Sequence, residues 1–249
     1  MEITKEYSRK LVGEEFTTNE GYIAKVINGG SKVGYCTIQI NDWVKEVQVT
    51  NLRRSKVKYP YHPIWYNKGY LGDGRYKSSI NGKQLIQYKK WNHMLERCYD
   101  PKYQKIEPTY IGCSVDPKWH NYQVFAEWFD NNYVDGYQLD KDLLIKGNKI
   151  YSEDNCIFIP KRLNSFLTNK HRNNTSGEIG VHWDKFSEKW RSRITNTTTG
   201  KSINLGLFDD LIKASKAYKK ARIEQCKKMR KIMIDEYNIT DERILDNII

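Results

Sequence analysis

The chain has 249 residues, a formal net charge of +12 and a pI near 9.3, a length that suits one large domain or two to three small ones. A mean hydropathy of −0.78 argues against one large buried sheet, and no apolar run approaches the roughly 18–20 residues of a membrane span. The opening MEITKEYSRK has no apolar h-region, and five scattered cysteines without a CxxC pair fit reduced thiols; together these features lead to the expectation of a cytoplasmic protein without a membrane partner.

In chain order, residues 9–58 read as a small antiparallel β module. Tyr35, Thr37 and Gln39 alternate with Cys36, Ile38 and Ile40 at a period of two. Asn28-Gly29-Gly30 reads as a hairpin turn. Residues 59–83, opened by Pro60 and Pro63, read as a basic and aromatic connector with one hairpin. Two helices follow. The first, LIQYKKWNHMLERCYD, places Tyr88, Trp91, Met94 or Leu95, and Cys98 on one face, with Pro101 closing it; the second, NYQVFAEWFDNNY, does the same with Tyr122, Phe125, Trp128 and Phe129. The stretch LDKDLLIKGNKIYSEDNCIFIPKRLN then reads as two short strands and the start of a helix.

Residues 171–178 are polar and read as a linker. Beyond it, residues 176–230 give three strand-like runs, IGVHWD, KWRSRITN and KSINLGLF, and a helix that Asp209 or Asp210 can cap. Alternation sets Trp190, Ser192 and Ile194 against Arg191, Arg193 and Thr195. The same rule puts Ile203, Leu205 and Leu207 opposite Ser202 and Asn204. Residues 231–249 form a tail with room for a last helix. The fold class expected is α+β in several modules: a β module at 9–58, a ββα module with flanking helices at 84–170, and a three-stranded antiparallel sheet plus helix at 176–230.

A +12 chain with 18 tyrosines and 7 tryptophans points to a polyanion, because Lys and Arg release counterions from phosphates and aromatic rings offer stacking surface. The segment 84–170 resembles the HNH endonuclease family, in the form common in phage homing enzymes. WNHMLERCYD, DPKWHNYQVFAEWF and GYQLDKD carry the resemblance, with Asn155 and Asn164 nine positions apart (164 − 155 = 9). The resemblance implies a ββα fold, a Mg²⁺ or Mn²⁺ ion held by Asp140 and Asn164, and a loop pinned by Asn155. Lys141 stands where the family places its general-base histidine. A lysine at its ordinary pKa of about 10.4 is an acid at neutral pH, so Lys141 suits a phosphate clamp better than a base. His93, His120 and His171 are alternative bases if one folds back. Cys98, Cys113 and Cys156 match no zinc spacing, so zinc is not expected.

Residues 177–222 resemble the APETALA2/ERF DNA-binding domain on GVHWD, KWRSRI, LGLF and KASKAY. That resemblance implies duplex DNA as partner, read by a sheet in the major groove. His182, Lys189, Arg191, Arg193, Thr195, Ser202 and Asn204 are the contact residues it and the sheet alternation suggest. His182 and Asn204 depart from the family's Arg and Trp, so no target sequence carries over. Three functions follow as expectations: a metal-dependent DNA endonuclease, a DNA-binding protein built on a degenerate nuclease, or an inhibitor acting through the 9–58 module, which could equally contact nucleic acid or serve as scaffold.

Overall fold

The computed structural model describes residues 5–167, 174 and 176–248. It is a mixed α+β structure with several antiparallel sheets. Among the described residues no helix is long and apolar enough to cross a membrane. The chain forms two compact units, Met1–Ile111 with Val115–Glu127, and Gly112–Ser114 with Trp128–Ile249. Residues 84–170 therefore contribute to both.

The first unit opens with α1 (Lys5–Lys10) and strands β1 (Glu15–Thr17), β2 (Ile23–Gly29), β3 (Tyr35–Ile40) and β4 (Trp43–Gln48), paired in chain order. The two-residue alternation turns Cys36, Ile38 and Ile40 inward. They pack with Leu11, Ala24, Val26 and the buried residues of α2 (Val49–Arg53), Val49 and Leu52. The hairpin turn expected at Asn28-Gly29-Gly30 lies further on. Asn28 and Gly29 stay in β2 beyond a register shift, paired with Thr37 and Cys36, and the chain turns over 30–34. A Cβ on Gly30 would collide with the Tyr35 carbonyl, so this glycine serves a close strand approach.

The connector's hairpin is β5 (Ser79–Ile80) and β6 (Lys83–Gln84), joined by Asn81 and Gly82, both at positive φ (49° and 75°) as a two-residue hairpin turn needs. Helix α3 (Ile86–Tyr99) buries Tyr88, Trp91, Cys98 and both Met94 and Leu95. Pro101 stops α3 by starting α4 (Pro101–Ile106), where its missing N–H costs nothing and the Asp100 carboxylate caps Lys102 N at 2.8 Å. After β7 (Ser114–Val115), α5 (Pro117–His120) repeats that device with Asp116. The buried Trp91 Nε1 donates to Trp119 O (2.7 Å), which satisfies an indole that would otherwise be costly to bury. Helix α6 (Tyr122–Asn132) begins in the first unit and ends in the second.

In the second unit β8 (Tyr137–Asp140) pairs antiparallel with β10 (Ile157–Pro160); β9 (Ile150–Tyr151) lies in the segment between them, and α7 (Lys161–Leu167) follows directly. On one face of the pair Phe158 stacks on Trp128 (5.5 Å) and meets Phe129 and Tyr133. The C-terminal sheet is β11 (Val181–Asp184), β12 (Lys189–Thr195) and β13 (Ser202–Phe208), in that order. Helix α8 (Leu211–Asp235) is capped by Asp210, which accepts Lys213 N at 2.9 Å. Its first half packs on the sheet. Its second half enters a core with Leu143, Ile159 and Leu163, joined by Ile244 and Leu245 of α9 (Glu242–Leu245) and by Ile248. The ββα element and the second half of α8 thus share one core. Each fully buried Leu, Ile or Met contributes about 1.5–3 kcal/mol, enough to hold the short tail in place.

Candidate nucleic-acid interface

The loop after β8 is organised around a buried ammonium. Asp140 Oδ1 accepts the N–H groups of Asp142 (2.8 Å) and Leu143 (2.7 Å), which turns the chain off the strand. Burial pushes the Asp140 carboxyl above the ordinary carboxylate range, against the pull of those two bonds. Lys141 points inward and is 7% exposed. Its Nζ donates to Asp142 Oδ1 (2.7 Å), Asp142 Oδ2 (2.8 Å) and Asn148 O (2.9 Å), so all three ammonium protons face protein acceptors. A charge this deep is tolerated only when paired in this way.

Asn148 closes the loop. Its Nδ2 donates to Lys141 O (2.8 Å) and Ile150 O (2.7 Å), and its Oδ1 accepts Ile150 N (3.1 Å). The one sign of this role in the sequence is the Gly147-Asn148 pair, a turn former with an amide able to bond its own backbone. Asn155 joins more loosely, its Nδ2 lying 3.4 Å from Asn148 Oδ1 and 3.5 Å from Ile150 O. On α7, Asn164 Nδ2 donates to Gln138 Oε1 (2.7 Å). Gln138 and Asp140 alternate onto one face of β8, opposite Ile159 and Ile157. Asp140 and Asn164 therefore lie on the α7 side of the strand pair.

The other candidates lie apart. Burial, foremost, pushes the Cys156 thiol up to about 12, which leaves it unreactive at neutral pH. His93 is exposed on α3. His120 Nε2 lies 3.0 Å from Tyr99 OH, and burial lowers its pKa. His171 lies outside the described residues. Among the described residues, the hydrogen-bond partners of Asp140 and Lys141 include no histidine.

A hard divalent cation wants several oxygen ligands, usually one or two carboxylates with the rest from water or phosphate. Asp140 has spent one oxygen on backbone, and Asp142 is neutralised by Lys141. Among the described residues no three His, Cys, Asp or Glu side chains gather into a metal-holding group.

The sheet is the opposite case. Along β12, Ser192 and Ile194 are buried against α8 while Arg193 and Thr195 are exposed. Directly paired residues share a face, so His182 with Arg191, Arg193 with Asn204, and Thr195 with Ser202 form a polar open face. Leu207 also lies there, 41% exposed beside Arg191, where simple alternation puts it with Ile203 and Leu205. The cause is a bulge. Ser192 pairs with Gly206 and Arg193 with Asn204, which leaves Leu205 as the extra residue, and Gly206 at φ +130° accommodates the kink.

Charges on this face differ in freedom. Arg191 is clamped by Asp184 through Nε (2.8 Å) and a second nitrogen, and this bond holds the Asp184 carboxyl below the usual carboxylate range. Lys189 Nζ lies 3.0 Å from Asp209 and does the same to that carboxyl. Burial, then the charges of Arg193 and Arg191, lower the pKa of His182, which favours its neutral form. The Arg193 guanidinium has no hydrogen bond or ion pair among the described residues. Phe186, in a stretch read only as a turn, stands fully exposed between β11 and β12.

Comparison with protein-family models, curated proteins and solved structures gave no match for this chain.

Proposed function

We propose that this chain is a duplex-DNA-binding protein of the cytoplasm that grips DNA with the open face of β11–β13, and that its HNH-like ββα element is a scaffold rather than a hydrolytic centre. The observation that carries the reading is Arg193: an exposed guanidinium, unpaired among the described residues, amid His182, Thr195, Ser202 and Asn204, on a chain of +12. Guanidinium, amide and hydroxyl groups on a sheet match the donors and acceptors of the major groove. Lys189 and Arg191 hold surface ion pairs, which are weak in water and exchange readily for phosphate. In the loop, by contrast, the Lys141 Nζ already donates to Asp142 and Asn148, which leaves no donor for a phosphate.

The test is fluorescence anisotropy with random-sequence duplex DNA over a salt series, beside a plasmid-nicking assay with Mg²⁺ or Mn²⁺. The expected result is binding whose log K falls linearly with log salt, and an intact plasmid. Absence of binding at low salt sinks the reading.

One arrangement favours a second reading, a Mg²⁺- or Mn²⁺-dependent DNA endonuclease. Asp140 and Asn164 lie on the same side of the strand pair, with Asn155 and Asn148 bracing the loop. Nicking by the wild type that disappears in Asp140→Ala would establish it over the scaffold.

A further inference from the structure

We infer that the recess beside the C-terminal sheet is a second DNA contact, which takes the sugar–phosphate backbone running on from the sheet-bound segment. This rests on the duplex-DNA reading and extends it to α7. The recess measures about 1340 Å³ and is bounded by α7, the end of β12, the turn over 196–200 and α8. Small-molecule sites run to about 300–1,000 Å³, so the space suits a stretch of polymer better than a metabolite.

Its charge is one-sided. Arg162, Arg193 and Arg222 line it, and among the described residues no Asp or Glu does. Arg162 pairs with Glu236, which is not part of the lining. Hydroxyls fill much of the rest, Ser165 on one side and Thr198 on the other, both exposed. The rings are already in use. The Arg222 guanidinium lies 3.6 Å over the Phe166 ring and also donates to Phe166 O (3.0 Å). Tyr218 presses so closely on Gly180 that a Cβ there would collide with it. A single strand binds by stacking its bases on free rings, and among the described residues the Phe166 and Tyr218 rings of the recess are both engaged. Guanidinium and hydroxyl donors suit phosphates, the groups that position a duplex. Arg193 belongs to both the open face and the recess, so one backbone can pass from one to the other. Neither Arg162 nor Arg222 stood out in the sequence, because tertiary packing alone brings them beside the sheet.

The test compares a duplex of one helical turn, about 10 base pairs, with one of two turns, by anisotropy across a salt series. The wild type should show a steeper salt slope on the longer duplex, by about 0.9 for each added phosphate contact. Ser165→Glu and Thr198→Glu, checked for folding by thermal melting, should weaken the longer duplex more than the shorter and lower its slope by about one. Equal wild-type slopes on the two duplexes, or equal weakening of both by the glutamates, would overturn the recess contact and leave the sheet reading standing. Tighter binding of a single-stranded overhang than of a paired flank would also overturn it. Loss of salt-dependent binding to either duplex would remove both readings together.

Discussion

Lys141 and Arg193 are cations in the same unit, each once expected to touch DNA, and the fold treats them in opposite ways. Lys141 is buried and bonded to Asp142 and Asn148; Arg193 is exposed on an open sheet face with no partner among the described residues. A buried, bonded charge maintains structure, because freeing it would leave both partners unsatisfied in a poorly solvating site. An exposed, unpaired one costs little to hand to a phosphate. The contrast separates charge that holds the fold from charge available to a ligand.

The largest effect expected is on the buried side. Asp142→Ala removes the counter-charge of Lys141, and an unpaired buried ammonium should cost about 3 kcal/mol of stability, the low end of the usual range because Asp142 is itself half exposed. Urea unfolding measures this; an unchanged midpoint would mean that Lys141 is solvated and would erase the contrast. On the open side, Arg193→Ala should leave stability unchanged and weaken duplex binding by about 1–3 kcal/mol if Arg193 makes a bidentate base contact. Arg191→Ala should weaken binding less, since Arg191 must first give up Asp184. If Arg191→Ala has the larger effect, the Asp184 clamp orients a reading residue and Arg193 is peripheral.

The smallest effect concerns Asp140. Its carboxyl is raised, so the folded state binds that proton more tightly than the unfolded chain. This favours folding below the ordinary carboxylate range and is lost as pH rises through the folded value. Asp140→Asn keeps the Oδ1 acceptor for Asp142 and Leu143 and removes the buried charge. At pH 7 the variant should match or exceed wild-type stability by up to about 1 kcal/mol, with the gain shrinking toward pH 4. A clear loss at pH 7 would show that the charge itself supports the loop.

Much of this was legible in the residue pattern. Helix α3 with Tyr88, Trp91 and Cys98, helix α6, the strands around Asp140 and the three-stranded sheet all follow from apolar periodicity and turn formers. The turn expected at Asn28-Gly29-Gly30 lies over 30–34 instead, because Gly30 serves a close strand approach, and sequence does not separate that use of glycine from a turn. Leu207 was put on the wrong face because a one-residue bulge inverts every later position of a strand, and Gly206 inside LGLF is a weak sign of it.

By itself, then, the sequence determined the local elements, the fold class and the excess of positive charge, since periodicity, capping and composition are properties of neighbours along the chain. Only the tertiary structure decided which charges are spent. Lys141 is pinned by a carbonyl seven residues away, Arg191 by the start of the neighbouring hairpin turn, and Arg162 and Arg222 are drawn together by the core that α7 and α8 share. Whether a cation is buried with a partner or left in water depends on desolvation and distance in three dimensions, and no spacing along the chain encodes either.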